Sequence, residues 1–385
     1  MSFKANALAG SALAMIVLAS PVHAQSNVTV YGRLNVGLVN YSGYGQGRGA
    51  ATQENNLSSR IGFKGREDLG DGLAATFMLE SGFSPDTGAG ALGSRESSVG
   101  LQGSFGSVKL GYMLNPLDDL HGIAGPGYQS SMMNDNLNGF WANGYSNTFT
   151  GTSGNAGSTA CTQVAGNGGA TNSFAFDSRF GNSIRYDSPV INGFSAATHL
   201  SLGEVTGCNG MTWSSKVQYQ RDAAIVALDY DLHHNVRGTG LNDQLLMLAA
   251  GYSVTPSLYL GGYFQALTYS NPGLRDLRQN GFGLTARKKE GQHTLELSWY
   301  HAGQGHGDQT PVFSGIYVGN GSASNIIMLG YRYALSKRTE LWSQLVQLRN
   351  GSNAKYDIGG AGSAGGNGLA GRNIRAVAAG IKHDF

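Results

Sequence analysis

Apolar and polar positions alternate through most of this chain, in short segments divided by turns. Between Val28 and Val39, the residues Val28, Val30, Leu34, Val36 and Leu38 share one face, and Thr29, Tyr31, Arg33 and Asn35 share the other. A period of two predicts a strand. Ser58–Glu67 repeats it, with Ile61 and Phe63 against Arg60, Lys64 and Arg66. After the turn at Leu69–Gly72 comes Leu73–Phe83, and then Arg95–Gly103 and Ser107–Met113 form a hairpin. Arg179–Ser188, Phe194–Gly203, Trp213–Asp222, Ala223–Leu232, Asn242–Val254 and Ser257–Tyr269 continue the series. Gln279–Lys289, Gln292–Ala302, Ser324–Leu335, Thr339–Arg349 and Asn373–Phe385 bring it to sixteen segments. One stretch breaks the pattern. Leu114–Ser178 has no sustained period, contains Pro116, Pro126 and the pair Asp118–Asp119, and reads as a loop. A loop this long inside a compact domain usually carries function.

Beyond residue 24 no apolar run approaches the ~18 residues of a membrane helix. Strands that cross a bilayer need only about ten residues, apolar outward and polar inward. The connections here alternate between short turns and longer polar loops, the asymmetry expected of a bacterial barrel. Proline cannot donate to a strand ladder, and Pro85, Pro116, Pro126, Pro189, Pro256, Pro272 and Pro311 all fall in predicted turns or loops. An even strand count lets the sheet close without the edge that lipid forbids. The expected fold is all-β, a sixteen-stranded antiparallel transmembrane β-barrel over residues 25–385. The loop at 114–178 is expected to fold inward and narrow it. Met1–Ala24 reads as a signal peptide, with Lys4, the apolar run Ala5–Ala19 and a small-residue cleavage site at Val22-His23-Ala24.

Composition adds exclusions. Only 13% of residues are charged and the formal net charge is +2, so no nucleic-acid partner is indicated. Gly88–Gly93, Gly360–Gly365 and Gly70–Ala75 match a dinucleotide fingerprint, but none follows a buried strand and opens a helix. His233-His234 reads as a loop pair without a third ligand, and no nucleophile elbow is present. An enzyme, a cofactor and a metal are therefore not expected. Cys161 and Cys208, both in predicted external loops of an oxidising compartment, are expected to form a disulfide stabilising by about 4 kcal/mol.

Val28–Gly37 (VTVYGRLNVG), Ser59–Ala75 (SRIGFKGREDLGDGLAA), Phe105–Gly111 (FGSVKLG), Asn182–Pro189 (NSIRYDSP) and the terminal Phe385 give the mature chain a specific likeness. It resembles the general trimeric porins of Gram-negative bacteria, of the neisserial and beta-proteobacterial type. The resemblance implies a homotrimer in the outer membrane, among its lipid and lipopolysaccharide. It implies a third external loop folded into the pore, here lengthened near Gly151–Ser173. The implied activity is passive, weakly charge-selective diffusion of ions and small hydrophilic solutes. A solute-specific channel, for which Tyr112, Tyr128, Phe140 and Trp141 leave room, or a surface adhesin on a barrel are the alternatives.

Such a pore needs a narrow charged waist. Strand phase puts Arg33, Arg60, Lys64, Lys109 and Arg185 on polar faces, and Asp118 and Asp119 are the acidic candidates on the loop. Two unit charges 10 Å apart in water interact by roughly 0.4 kcal/mol before screening. Several together give about a tenfold bias between ions, and the basic excess favours anions. Phe385 is expected at the lipid–water boundary, and Trp299, Tyr331, Tyr333 and Trp342 as girdle or wall residues.

Overall fold

The structure, a computed structural model, describes residues 27–43, 51–56, 58–124, 141, 176–203, 209–236, 240–308, 317–356, 358 and 370–385. Strands are numbered here in chain order. β1 is Asn27–Ser42. β2 is Ala51–Asn56 together with Arg60–Gly70, because the two pieces pair in succession with β1. β3 is Leu73–Ser84, β4 Glu96–Gly103, β5 Gly106–Leu114, β6 Arg179–Asp187, β7 Phe194–Leu202 and β8 Met211–Arg221. β9 is Ala224–His234, β10 Asn242–Thr255, β11 Leu258–Tyr269 and β12 Leu277–Glu290. β13 is His293–Ala302, β14 Ser324–Ala334, β15 Thr339–Asn350 and β16 Asn373–Asp384. Ala89–Gly90 adds a two-residue pairing on the end of β3.

Each strand pairs antiparallel with its sequence neighbour, and β16 returns to β1, Arg33 facing Asp384 and Ser42 facing Arg375. The result is a closed sixteen-stranded antiparallel transmembrane β-barrel. Closure satisfies every strand edge internally, the condition for a sheet in lipid. The seam is finished by the terminal residue: Gly32 N–H donates to Phe385 O at 3.0 Å and Phe385 N–H to Gly32 O at 3.1 Å. The Phe385 ring lies over Gly32, where a Cβ would meet it at 2.3 Å.

The alternation is inside out relative to a soluble domain. On β10, Leu246 and Leu248 are 44% and 47% exposed while Leu245 and Met247 are fully buried. The exposed face continues through Leu284, Leu297, Ile327 and Leu345 around the barrel. Short turns occupy one end, at 71–72, 104–105, 222–223, 256–257 and 291–292, and the long connections occupy the other. Exposed Phe105, Tyr186, Phe194, Tyr252 and Phe385 cluster toward the short-turn end, and Trp213 and Trp299 lie toward the long loops. These are the two aromatic belts of a membrane barrel.

Some expectations change. β2 reaches back to Ala51, further than alternation indicated, with an irregularity around Ser58, which has φ 62°. His233 and His234 close β9 and are not in a loop. The opening of the long loop is ordered into a 3-10 turn, Pro116–Leu120, and one helical turn, His121–Ala124. The Cys161–Cys208 disulfide is withdrawn: among the described residues there is no disulfide, and both cysteines lie outside them. The described ends of the loop are tied by hydrogen bonds instead. Asn115 Nδ2 donates to Phe176 O at 2.8 Å, and Asn115 N–H to Ser178 O at 3.4 Å. Met1–Ala24 also lies outside the described residues.

Candidate functional site

The short helical stretch after β5 is organised by its own sequence. Pro116 sits in its first turn, where a missing N–H costs nothing. Leu117, Leu120 and Ile123 recur at intervals of three and are buried, while Asp118 is half-buried and Asp119 exposed. Pro116–Leu120 lies against β7, β8 and β9, and His121–Ala124 against β10, β11 and β12. The strand residues that join Leu117, Leu120 and Ile123 in one apolar cluster include Leu245, Met247, Tyr263, Leu267 and Tyr300. Burying each leucine or isoleucine stabilises the seat by roughly 1.5–3 kcal/mol. Two tyrosines fix the backbone: Tyr259 Oη donates to Ile123 O at 2.8 Å and Tyr300 Oη to Ala124 O at 3.3 Å. Gly261 permits the approach, since a Cβ there would stand 2.3 Å from Ile123 O. Trp141 packs edge-on against Tyr263 at 4.7 Å.

Charges gather beside this seat. Register places Lys109 beside Arg185, Arg185 beside His199, His199 beside Ser214 and Ser214 beside Asp231. Arg185 Nη2 bonds Asp119 Oδ2 at 2.8 Å and Asp187 Oδ1 at 2.7 Å, and Lys216 also donates to Asp119. Arg185 and Asp119, both expected at the waist, are thus joined to each other. Asp118 is half-buried near His121 and Asp177, which contact each other directly. Asp229 and Asp231 are buried on β9, and Asn115 Nδ2 lies 3.4 Å from Asp231 Oδ1.

The remaining candidates lie on β1–β5. Arg33 Nε bonds Asp384 Oδ1 at 2.7 Å. Glu80 accepts from Arg95 at 2.6 Å and from Tyr31 Oη at 3.1 Å, with Arg60 Nε 3.7 Å away. Lys64 Nζ stands 5.1 Å from the Tyr31 ring centroid and is exposed, and Lys109 is half-buried. Sequence reasoning missed Glu80, Arg95, Lys216, Asp187, His121 and Asp177. Strand phase could have found Glu80, Lys216 and Asp187; nothing periodic marks His121 or Asp177. Of the aromatic candidates, Trp299 and Tyr331 face outward, whereas Trp342 is 3% exposed and donates to Asn35 Oδ1 at 2.9 Å. Tyr128 and Phe140 lie outside the described residues.

Comparison with known proteins agrees with this architecture. A family model described as Gram-negative porin matches residues 9–355. The chain is 28% identical over 393 residues to "Outer membrane porin protein 32" of Delftia acidovorans, covering 97% of this chain and 98% of that one. It is 25% identical over 376 residues to "Major outer membrane protein P.IB" of Neisseria gonorrhoeae, covering 89% and 94%. The solved structure "Anion-selective porin from Comamonas acidovorans" superposes with a TM-score of 0.72 at 23% identity, covering 94% of this chain and all of that one. "OmpT (in-vitro folded), an outer membrane protein Vibrio cholerae (trimer form)" superposes with a TM-score of 0.60 at 13% identity, covering 94% and 99%. A closed sixteen-stranded barrel, apolar outside and charged within, matched by that model over nearly its whole length, belongs to the Gram-negative porin family.

Proposed function

We propose that this outer-membrane channel passes ions and small hydrophilic solutes through a pore narrowed by its long third connection, with a weak preference for anions. Passive diffusion is the ordinary work of the family. The observation that carries the finer reading is the apolar seat. β10 presents Leu245, Met247 and Ala249 on its inward face, beside Tyr263 and Leu267 of β11 and Tyr300 of β13, and Leu117, Leu120 and Ile123 join them in one cluster. A loop held there lies inside the barrel and leaves the path along β1–β5. That path is lined by Arg33, Arg60, Lys64, Arg95 and Lys109 against Glu80, Glu96 and Asp384. Asp119 is balanced by Arg185 and Lys216, so that cluster adds no net negative charge to the path. The excess of cations favours anions, as the name of the Comamonas porin says of that protein. Trimeric assembly in lipid and lipopolysaccharide is part of the same proposal, and the solved OmpT trimer supports it. Reversal potential across a salt gradient tests the preference: a sign set by the cation contradicts it.

A further inference from the structure

The geometry points to a divalent metal site formed by Asp118, His121 and Asp177, for which we propose a first-row transition ion such as Zn2+ as ligand. One ligand atom from each residue comes within 4.8 Å of the other two. Ligands of a single ion at about 2.1 Å stand at most about 4.2 Å apart, so small side-chain rotations close the set. Asp118 and His121 are three residues apart across the junction of the two helical turns, a spacing that puts both side chains on one side. The His121 backbone N–H hydrogen-bonds Asp118 O, which fixes that spacing. Asp177 arrives from the return of the long loop, and Asn115 holds its two neighbours, Phe176 and Ser178, through their carbonyls. A bound ion would therefore link the start of the loop to its return.

The donor set selects the metal. One imidazole and two carboxylates suit Zn2+, Mn2+ or Fe2+, whereas Ca2+ asks for six to eight oxygens. Three protein ligands leave a further position for water or a small anion. A second observation is independent of the spacing. Asp177 is in electrostatic contact with Asp229 and Asp231, and Asp229 is wholly buried with no hydrogen-bond partner for either carboxylate oxygen. Four carboxylates thus crowd one side of the loop. Lys216, which faces Asp229 across the β8–β9 ladder, and Arg185 are shared between Asp119 and Asp229, while Arg179 is in electrostatic contact with Asp118. A divalent ion offsets this excess. The Trp141 ring, 4.4 Å from His121, screens the imidazole and supplies a reporter.

The site stands whether or not the loop narrows the pore, and its test reads binding alone. Full-length protein refolded in detergent without lipopolysaccharide is titrated with Zn2+ by calorimetry at neutral pH. One site per chain is expected, weakening as pH falls because the ligands must be deprotonated. Asp118→Asn leaves the His121–Asp177 contact intact and should weaken binding at least tenfold; His121→Gln should abolish it. Co2+ should quench tryptophan fluorescence in the wild type and much less in Trp141→Phe. Absence of binding in the wild type overturns the site. Binding of equal strength in Asp118→Asn and His121→Gln, which assigns Zn2+ to other histidines, overturns it as well.

Discussion

Asp119 holds two cations at once, and its removal tests the proposed role of these charges in the pore. In Asp119→Asn, Arg185 and Lys216 lose their shared carboxylate, although Arg185 keeps Asp187. One net positive charge is added beside the path, and permeability should shift toward anions by roughly twofold to fivefold. Glu80→Gln should act in the same direction, because Arg60 and Arg95 share that carboxylate. Reversal potentials of the two variants measure both effects; a shift toward cations in either would contradict the assignment. A pH effect lies outside the barrel wall. The Arg275 side chain and backbone N–H donate to Asp308, which holds that exposed carboxyl below the ordinary carboxylate range. A depressed pKa contributes stability above the unfolded value of about 4, and that contribution is lost as pH falls through the lower folded value. The link between the loops at 270–276 and 303–308 should therefore hold at neutral pH and loosen only in strong acid. Protection of the Arg275 amide against hydrogen exchange reports it, and Asp308→Ala, which removes the acceptor, should abolish that protection at every pH.

Among the elements, the helical stretch 116–124 is the one whose position matters most. Leu117→Ala with Leu120→Ala removes two side chains from the apolar seat, at roughly 2–5 kcal/mol each. The barrel ladders do not depend on them. Melting of the barrel should change little, while open-channel noise and the size limit for sugars in liposome swelling should rise. Tyr259→Phe deletes one anchor of the Ile123 carbonyl at a cost of about 1 kcal/mol and should give a milder version of the same behaviour. The strands themselves were legible because lipid on one side and water on the other enforce a strict period of two, as in β13 with Leu295, Leu297 and Trp299 outward. The seat was less so. Leu245-Leu246-Met247-Leu248-Ala249 is apolar on both faces, and a strand that should be polar inward was the available sign that something covers it. The ion pairs were beyond reach, since Asp119 is separated by 66 residues from Arg185 and by 97 from Lys216. No local pattern encodes such partners; only closure of the barrel brings them together.

Across the whole molecule, one barrel end carries short turns and exposed aromatic residues, and the other carries the long connections. That polarity sets the chain in the membrane with its terminal Phe385 on the short-turn side. Phe385→Ala uncovers Gly32 and loosens the β1–β16 seam, so folding yield into membranes should fall severalfold while any barrel that forms keeps its conductance. Electrophoresis of unheated samples would follow that yield, together with the proposed trimer. The proposed channel is a water-filled pore with a basic path beside a seated loop. Single-channel current of the purified protein in a planar bilayer under a salt gradient tests it most directly. The expected result is stepwise conductance, in groups of three, with a reversal potential of the sign set by the anion. Well-folded protein that repeatedly gave no current, or a reversal potential of the opposite sign, would contradict it.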